Sequence, residues 1–320
     1  RLGFEAELFY NGPMLDFVRL KNYEKIIDLG TPFGVPYPPR NIIEVKKLIS
    51  RLRRFDIILV HHHIDPLLAY QLTLFMGSKL VWYCGEPLRA LWEDRLSGLS
   101  CTELRSTVIP TSASSYGGGI TSIFLSEYLY PVSIALLRAL DIVTARRYRK
   151  IIANSHYTRE VIMRLYNPPH DVEVIYPGAC PIEGKYLQAD DAPRNYMLSI
   201  GSMIPMKNHV NLLKAFHHLT RECQREVGLV IIGGGPLAKK IRSLISKLRL
   251  ENVLIRSDVS EGELAGYYQN CRFIVHQALY EPFGLVPVEA ALFGKPSIVS
   301  DLGGTRETVI DGETGVRVDP

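Results

Sequence analysis

Cysteine is sparse in this chain: five among 320 residues, at positions 84, 101, 180, 223 and 271. The set is odd in number, scattered and without metal-ligand spacing, which argues against a disulfide framework or a zinc site and predicts reduced thiols in the cytoplasm. Long apolar runs are missing too. The best stretch, Phe124 to Ala145, is interrupted by Glu127, Arg138 and Asp141, so it does not read as a membrane span. No signal peptide is visible. Neither sign of charge dominates: 37 Lys and Arg against 33 Asp and Glu give +4. That excess is too slight to mark a nucleic-acid partner, and it suits an anionic ligand or lipid head group as easily as none.

With 47% hydrophobic and 22% charged residues, the chain can bury two ordinary cores. Strand-like and helix-like segments alternate, which predicts an α/β fold with two Rossmann-like domains. The first spans residues 1–178. A polar, acidic stretch within 179–195 is the linker, and the second domain covers 196–320. In the second domain strands are expected at 197–200, 228–232, 252–255, 273–276 and 296–299, with helices at 208–220, 237–249, 261–269 and 284–293. The Ser-, Thr- and Gly-rich segment 106–119 reads as a long loop, either a functional lid or simply mobile.

The most informative segment is Glu281-Pro282-Phe283-Gly284-Leu285-Val286-Pro287-Val288-Glu289. It follows an apolar strand, Phe273 to Val275, and runs into a helix begun near Gly284. A strand, a glycine turn and a helix start make an anion site, because the first helical N–H groups are unpaired and the helix dipole adds roughly half a positive charge there. Eight positions along a mostly helical path separate the two carboxylates by roughly 10 Å. Retaining glycosidases hold their pair only about 5 Å apart. Glu281 and Glu289 are thus suited to gripping two hydroxyl-bearing parts of one long ligand, with a diphosphate between them. The structural alternative is one helix-capping Glu and one exposed Glu.

Downstream, Gly294 to Gly315 contains Ser300-Asp301-Leu302-Gly303-Gly304-Thr305-Arg306-Glu307. With it, segment 273–320 closely resembles the nucleotide-binding half of retaining GT-B glycosyltransferases of the group 1, family 4 type, which include mannosyl- and glucosyltransferases. The resemblance implies that Glu281 lies by the donor sugar, that Glu289 holds the ribose hydroxyls, and that the N–H groups of Phe283, Gly284 and Leu285 take the diphosphate. Upstream, Gly201-Ser202-Met203-Ile204-Pro205-Met206-Lys207 resembles the loop that opens the family's second domain. There an Arg after the Gly and a Lys six residues beyond that Gly bind donor phosphates. Lys207 is in place, while the Arg position is the neutral Ser202. One charge-assisted contact, about 1.5 to 3 kcal/mol, is therefore missing unless another group such as Arg256 supplies it. The turn Gly233-Gly234-Gly235-Pro236 resembles the family's Gly-x-Gly-Pro turn, either structural or lining the ligand through Gly234.

The first half matches more loosely. Ser155 is expected to cap a helix from Tyr157 to Leu165. Tyr83-Cys84-Gly85-Glu86-Pro87-Leu88-Arg89 resembles a Tyr-Cys-His-x-Pro-x-Arg element of mannosyltransferase-like members, with Gly85 in place of the His. Glu86 and Arg89 are acceptor-side candidates. So is His61, first of His61-His62-His63, which ends an apolar strand over Asp56 to Val60; a solvent-facing role and a metal site are the other readings of these histidines.

The activity implied is transfer of a hexose from a nucleoside diphosphate donor to a glycan, lipid-linked or small-molecule acceptor, with retention at the anomeric carbon. Glu281 and Lys207 would be the catalytic pair. No Asp-x-Asp motif is present, so neither a metal nor any other cofactor is expected. The basic clusters Arg51 to Arg54 and Arg146 to Lys150 are either solvated faces or a peripheral contact with the inner face of an anionic membrane. A nucleotide-sugar epimerase of the same fold and a non-catalytic nucleotide-sugar binding module are the alternatives. Relative to the family, both ends of the chain are expected to be cut: an earlier strand with a glycine-rich turn, and terminal helices, have no counterpart.

Overall fold

The computed structural model describes residues 7–10, 25–28, 42–61, 66–87, 91–92, 134–180, 191–223 and 227–320. The segment 106–119, most of the expected linker, and His62, His63 and Arg89 lie outside them. The chain parts into two compact units, residues 1–50 and 51–320. In the first, strands β1 (Glu7–Tyr10) and β2 (Lys25–Asp28) pair in parallel, Glu7 opposite Lys25. Helix α1 (Ile42–Leu52) begins there.

The second unit contains two parallel sheets. One has four strands in the order β3 (Ile58–His61), β4 (Leu80–Cys84), β5 (Lys150–Ala153), β6 (Val172–Val174). Helices α2 (Pro66–Met76), α3 (residues 134–145) and α4 (His156–Tyr166) accompany it. The charges that broke the apolar run now find their reason. Asp141 on α3 accepts hydrogen bonds from Trp92 Nε1 at 2.8 Å and Tyr166 OH at 2.9 Å. Arg138, one turn earlier, donates to the Leu91 carbonyl and lies over the Trp92 ring. Both charges serve buried aromatics rather than solvent. Burial raises the Asp141 pKa, and the two donors hold it back.

The other sheet has six parallel strands in the order β12-β11-β10-β7-β8-β9. These are β7 (Tyr196–Ile200), β8 (Gly228–Ile232), β9 (Val253–Arg256), β10 (Phe273–His276), β11 (Ser297–Ser300) and β12 (Gly315–Val318). Between them run α5 (His209–Cys223), α6 (Ala238–Leu248), α7 (Glu261–Asn270), α8 (Leu285–Leu292) and the one-turn α9 (Thr305–Thr308). Buried parallel strands need helices on both faces. One face of this sheet packs Leu198, Val230, Ile232 and Ile274 under α7 and α8; the other packs Met197, Leu229, Ile231 and Val275 under α5 and α6. The expected elements of this half fall within one to three residues of the observed ones. Two parallel-sheet domains of the GT-B kind are thus present.

Strand order reverses between β7 and β10. From β7 the chain steps outward to β8 and β9, then returns to lay β10 against the other side of β7, Phe273 opposite Met197. In open parallel sheets the crevice beyond the strand ends at such a reversal is where ligands bind.

Candidate active site at the β7/β10 reversal

Lys207 and Glu281 leave the two strands that flank this crevice. After β7 the chain turns through Gly201, which has φ +156 and lies beside the Lys207 stem: a Cβ there would make ordinary contact, 3.6 Å, with Lys207 Cγ and Cδ. A 3-10 turn, Pro205–Lys207, then presents the lysine. Its backbone is tied to the neighbouring loop: Gln277 Nε2 donates to the Lys207 carbonyl at 2.8 Å and Leu279 N to Met206 O at 2.8 Å.

After β10, the Glu281 carboxylate is nearly buried. Its Oε2 accepts from Lys207 Nζ at 2.5 Å and lies 2.8 Å from His276 Nε2. Burial pushes its pKa up, but the His276 hydrogen bond and the Lys207 charge outweigh that and hold the carboxyl down at about 2. An ionised carboxylate can only accept, so His276 Nε2 carries the proton of that bond. Beside them stands His209, the first residue of α5 and only 2% exposed. Neither of its ring nitrogens has a partner among the described residues. Desolvation, with the His276 and Lys207 charges, lowers its pKa to about 4, so it is neutral at neutral pH.

The turn after Glu281 is built for close approach. Gly284 has φ +96, a left-handed conformation that favours glycine, and a Cβ there would come within 3.0 Å of Thr305 Cγ2. It caps α8, and the N–H groups of Phe283, Gly284 and Leu285 have no backbone acceptor among the described residues. Those of Gly284 and Leu285 are orphan donors of a helix start, and that of Phe283 immediately precedes it. On the same helix Glu289 accepts from Tyr268 OH at 2.6 Å. The buried Tyr268 ring stacks on Phe293, which fixes the donor of that bond.

The remaining candidates are more dispersed. Ser202 is exposed in the loop carrying Lys207, and exposed Gly234 abuts that loop, its carbonyl accepting from Met203 N at 2.8 Å. Gly233 and Gly235 allow the approach: a Cβ on Gly233 would fall 2.1 Å from the Gly201 carbonyl. Arg256 meets this turn through its backbone, its carbonyl accepting from Gly233 N at 2.8 Å, while its side chain is engaged elsewhere. It ends the edge strand β9, where its guanidinium pairs with Asp191 at 3.1 Å and Glu263 at 3.4 Å. His61 ends β3 and stacks on Tyr83 of β4, ring centroids 5.2 Å apart. Half-buried Glu86 follows β4, and its charge helps to raise the pKa of Tyr157. Sequence reasoning missed His276, Tyr268, His209 and Glu307. A histidine closing the apolar run Phe273–His276, directly before the Glu281 segment, was the available signal.

The strand ends of the two sheets meet. Ser155, just beyond β5, caps α4 by accepting from Thr158 N, and donates its own proton to the Pro282 carbonyl at 2.6 Å. Glu86 and His61 stand at the strand ends of the four-stranded sheet, and Glu281 and Lys207 at those of the six-stranded one.

Residues 1–181 match the family profile of Glycosyltransferase Family 4, and residues 188–320 that of Glycosyl transferases group 1. An uncharacterised glycosyltransferase of Methanocaldococcus jannaschii is 30% identical over 167 residues, which cover 52% of this chain and 44% of the relative. The chain spans about half the length of the curated relatives it matches. Among solved structures, sucrose-phosphate synthase from Thermosynechococcus elongatus superposes with a TM-score of 0.67 at 18% identity, over 99% of this chain and 76% of that one. An Anabaena protein crystallised with UDP and glucose gives 0.62 at 18% identity, over 92% and 73%.

Proposed function

Because this chain belongs to Glycosyltransferase Family 4, we propose that it is a glycosyltransferase that moves a hexose from a nucleoside diphosphate donor, with retention and without a metal ion, to a glycan, lipid-linked or small-molecule acceptor. The observation that carries this reading is the convergence at the β7/β10 reversal of Lys207, ionised Glu281 and the N–H groups at Gly284. As the donor's glycosidic bond breaks, negative charge grows on the diphosphate. An ammonium has three N–H bonds; Glu281 takes one from Lys207, which leaves others for phosphate oxygen. Together with the helix-start N–H groups these provide preorganised stabilisation of the leaving group. Glu281, with Oε2 engaged on its two partners, offers Oε1 to the sugar hydroxyls, a positioning role. Glu289 takes the ribose.

Acceptor entry falls to the first-domain side, where His61 and Glu86 stand. At the opposite end of that sheet Lys79 Nζ donates to the Arg53 and Phe55 carbonyls, and Arg149 N to the Gly77 and Leu80 carbonyls. The exposed Arg51, Arg53, Arg54, Arg146, Arg147 and Arg149 are thereby gathered at one end. This favours contact with an anionic membrane surface, at about 1 kcal/mol per charge.

Calorimetric titration with UDP, GDP and ADP in EDTA tests the donor site. One nucleotide is expected to bind, and to bind about 10- to 100-fold more weakly to Lys207→Ala and Glu289→Ala, the loss of one charge-assisted contact each. Equal affinity in both variants would sink the assignment.

A further inference from the structure

We propose that Glu307 is a positioning residue: from the six-stranded domain it latches the start of α4 in the four-stranded domain, and so holds the Glu281–Gly284 turn in its working geometry. This rests on the donor-site reading above. Glu307 stands on α9, three residues past Gly304. Its Oε2 accepts from His156 N at 2.8 Å and its Oε1 from Tyr157 N at 2.8 Å, the first two amides of α4. Tyr176 OH adds a third bond to Oε2 at 3.0 Å. A carboxylate there satisfies donors that a helix start leaves open, and its charge complements the helix dipole.

The same helix start grips the turn. Ser155 Oγ donates to the Pro282 carbonyl, which Thr158 Oγ1 also approaches at 3.3 Å. Tyr157 packs edge-on against Tyr280, and Tyr176 stacks on Phe283. From the opposite side Gly304 N donates to the Glu281 carbonyl at 2.8 Å, so close that a Cβ on Gly304 would fall 2.2 Å from the Pro282 oxygen. Residues 281–283 are thus pinched between Gly303-Gly304 and the start of α4. Glu307 ties the two jaws together, because it is joined covalently to one and hydrogen-bonded to the other. Without the latch, the jaw carrying Ser155, Tyr157 and Tyr176 is free to withdraw with its domain.

The test is electron–electron distance measurement on the full chain. Spin labels go on cysteines placed at the exposed Arg164 of α4 and Lys240 of α6, with native cysteines that label replaced by serine. The parent is expected to give one narrow distance distribution and Glu307→Ala one at least twice as wide. Glu307→Gln, which keeps an acceptor oxygen, should fall between them. As a control against loss of fold in Glu307→Ala, Tyr176→Phe is measured as well; it loses one bond with the ring stack intact and should widen the distribution to a lesser degree. Parent-like distributions in all three folded variants overturn the latch. Nucleotide titration separates the two readings: a latch that widens on mutation in a chain binding none of UDP, GDP or ADP leaves Glu307 as a domain clamp and removes the donor site instead. A nucleotide that binds the parent but binds Glu307→Ala at least tenfold more weakly supports both.

Discussion

An acid and a base that both titrate below their ordinary ranges share one cluster. Glu281 is held down at about 2 and His209 at about 4. The sign is the same for both: the unfolded chain binds the proton more readily, so stability is full above the ordinary pKa and is lost as pH falls toward the folded value. His209 covers the window from 6.5 to 4, and Glu281 the one from 4.5 to 2. Each shift corresponds to about 3 kcal/mol at its full extent. Urea unfolding followed from pH 7.5 to 4 should show the parent losing stability while His209→Leu stays nearly level, since the variant has no proton to take up. At neutral pH that variant should be at least as stable as the parent, because it also removes two buried nitrogens without partners. With the series continued down to pH 2, Glu281→Gln should leave the upper window intact and flatten the lower one.

Among the elements, those with an uninterrupted period were legible in advance. Strand β8 is entirely buried, and its five residues read as an apolar run ended by glycine. Helix α4 announces itself through Ser155, whose side chain caps Thr158 N. The one-turn α9 has no period to read; its N-cap, Gly304, lies against the Pro282 backbone. Side-chain pairings between elements were equally hidden. Nothing in the sequence links Tyr268 to Glu289 or Glu307 to His156, since these contacts depend on how two elements cross. The Glu281 motif was readable because strand, glycine and helix start are contiguous, whereas its histidine partner looked like one more strand residue. Asp141 illustrates the same limit within a helix: it read as a charge spoiling an apolar run, yet it joins α3 to Trp92 and to Tyr166 of α4. Asp141→Ala removes the acceptor of both bonds and should cost about 2–4 kcal/mol in urea unfolding. Asp141→Asn keeps a carbonyl oxygen and should cost less.

For the whole molecule, the reversal of strand order decides which parts of the chain must meet. Lys207 and Glu281 are 74 positions apart, Ser155 and Pro282 are 127, and His156 and Glu307 are 151. Each contact requires closing a loop of that length before it returns any stabilisation. The neighbouring pairs β7–β8 and β8–β9 need far shorter loops. Helices and these local pairs should therefore form early in refolding, with the crevice assembled last. Stopped-flow refolding from urea is expected to show recovery of secondary structure well ahead of recovery of nucleotide binding; simultaneous recovery would mean that β10 docks with the first strands. The consequence is kinetic as much as structural. A chain emerging residue by residue from the ribosome cannot bring Lys207 to Glu281 until the segment that follows β10 is out, so the halves of the crevice wait for one another during synthesis.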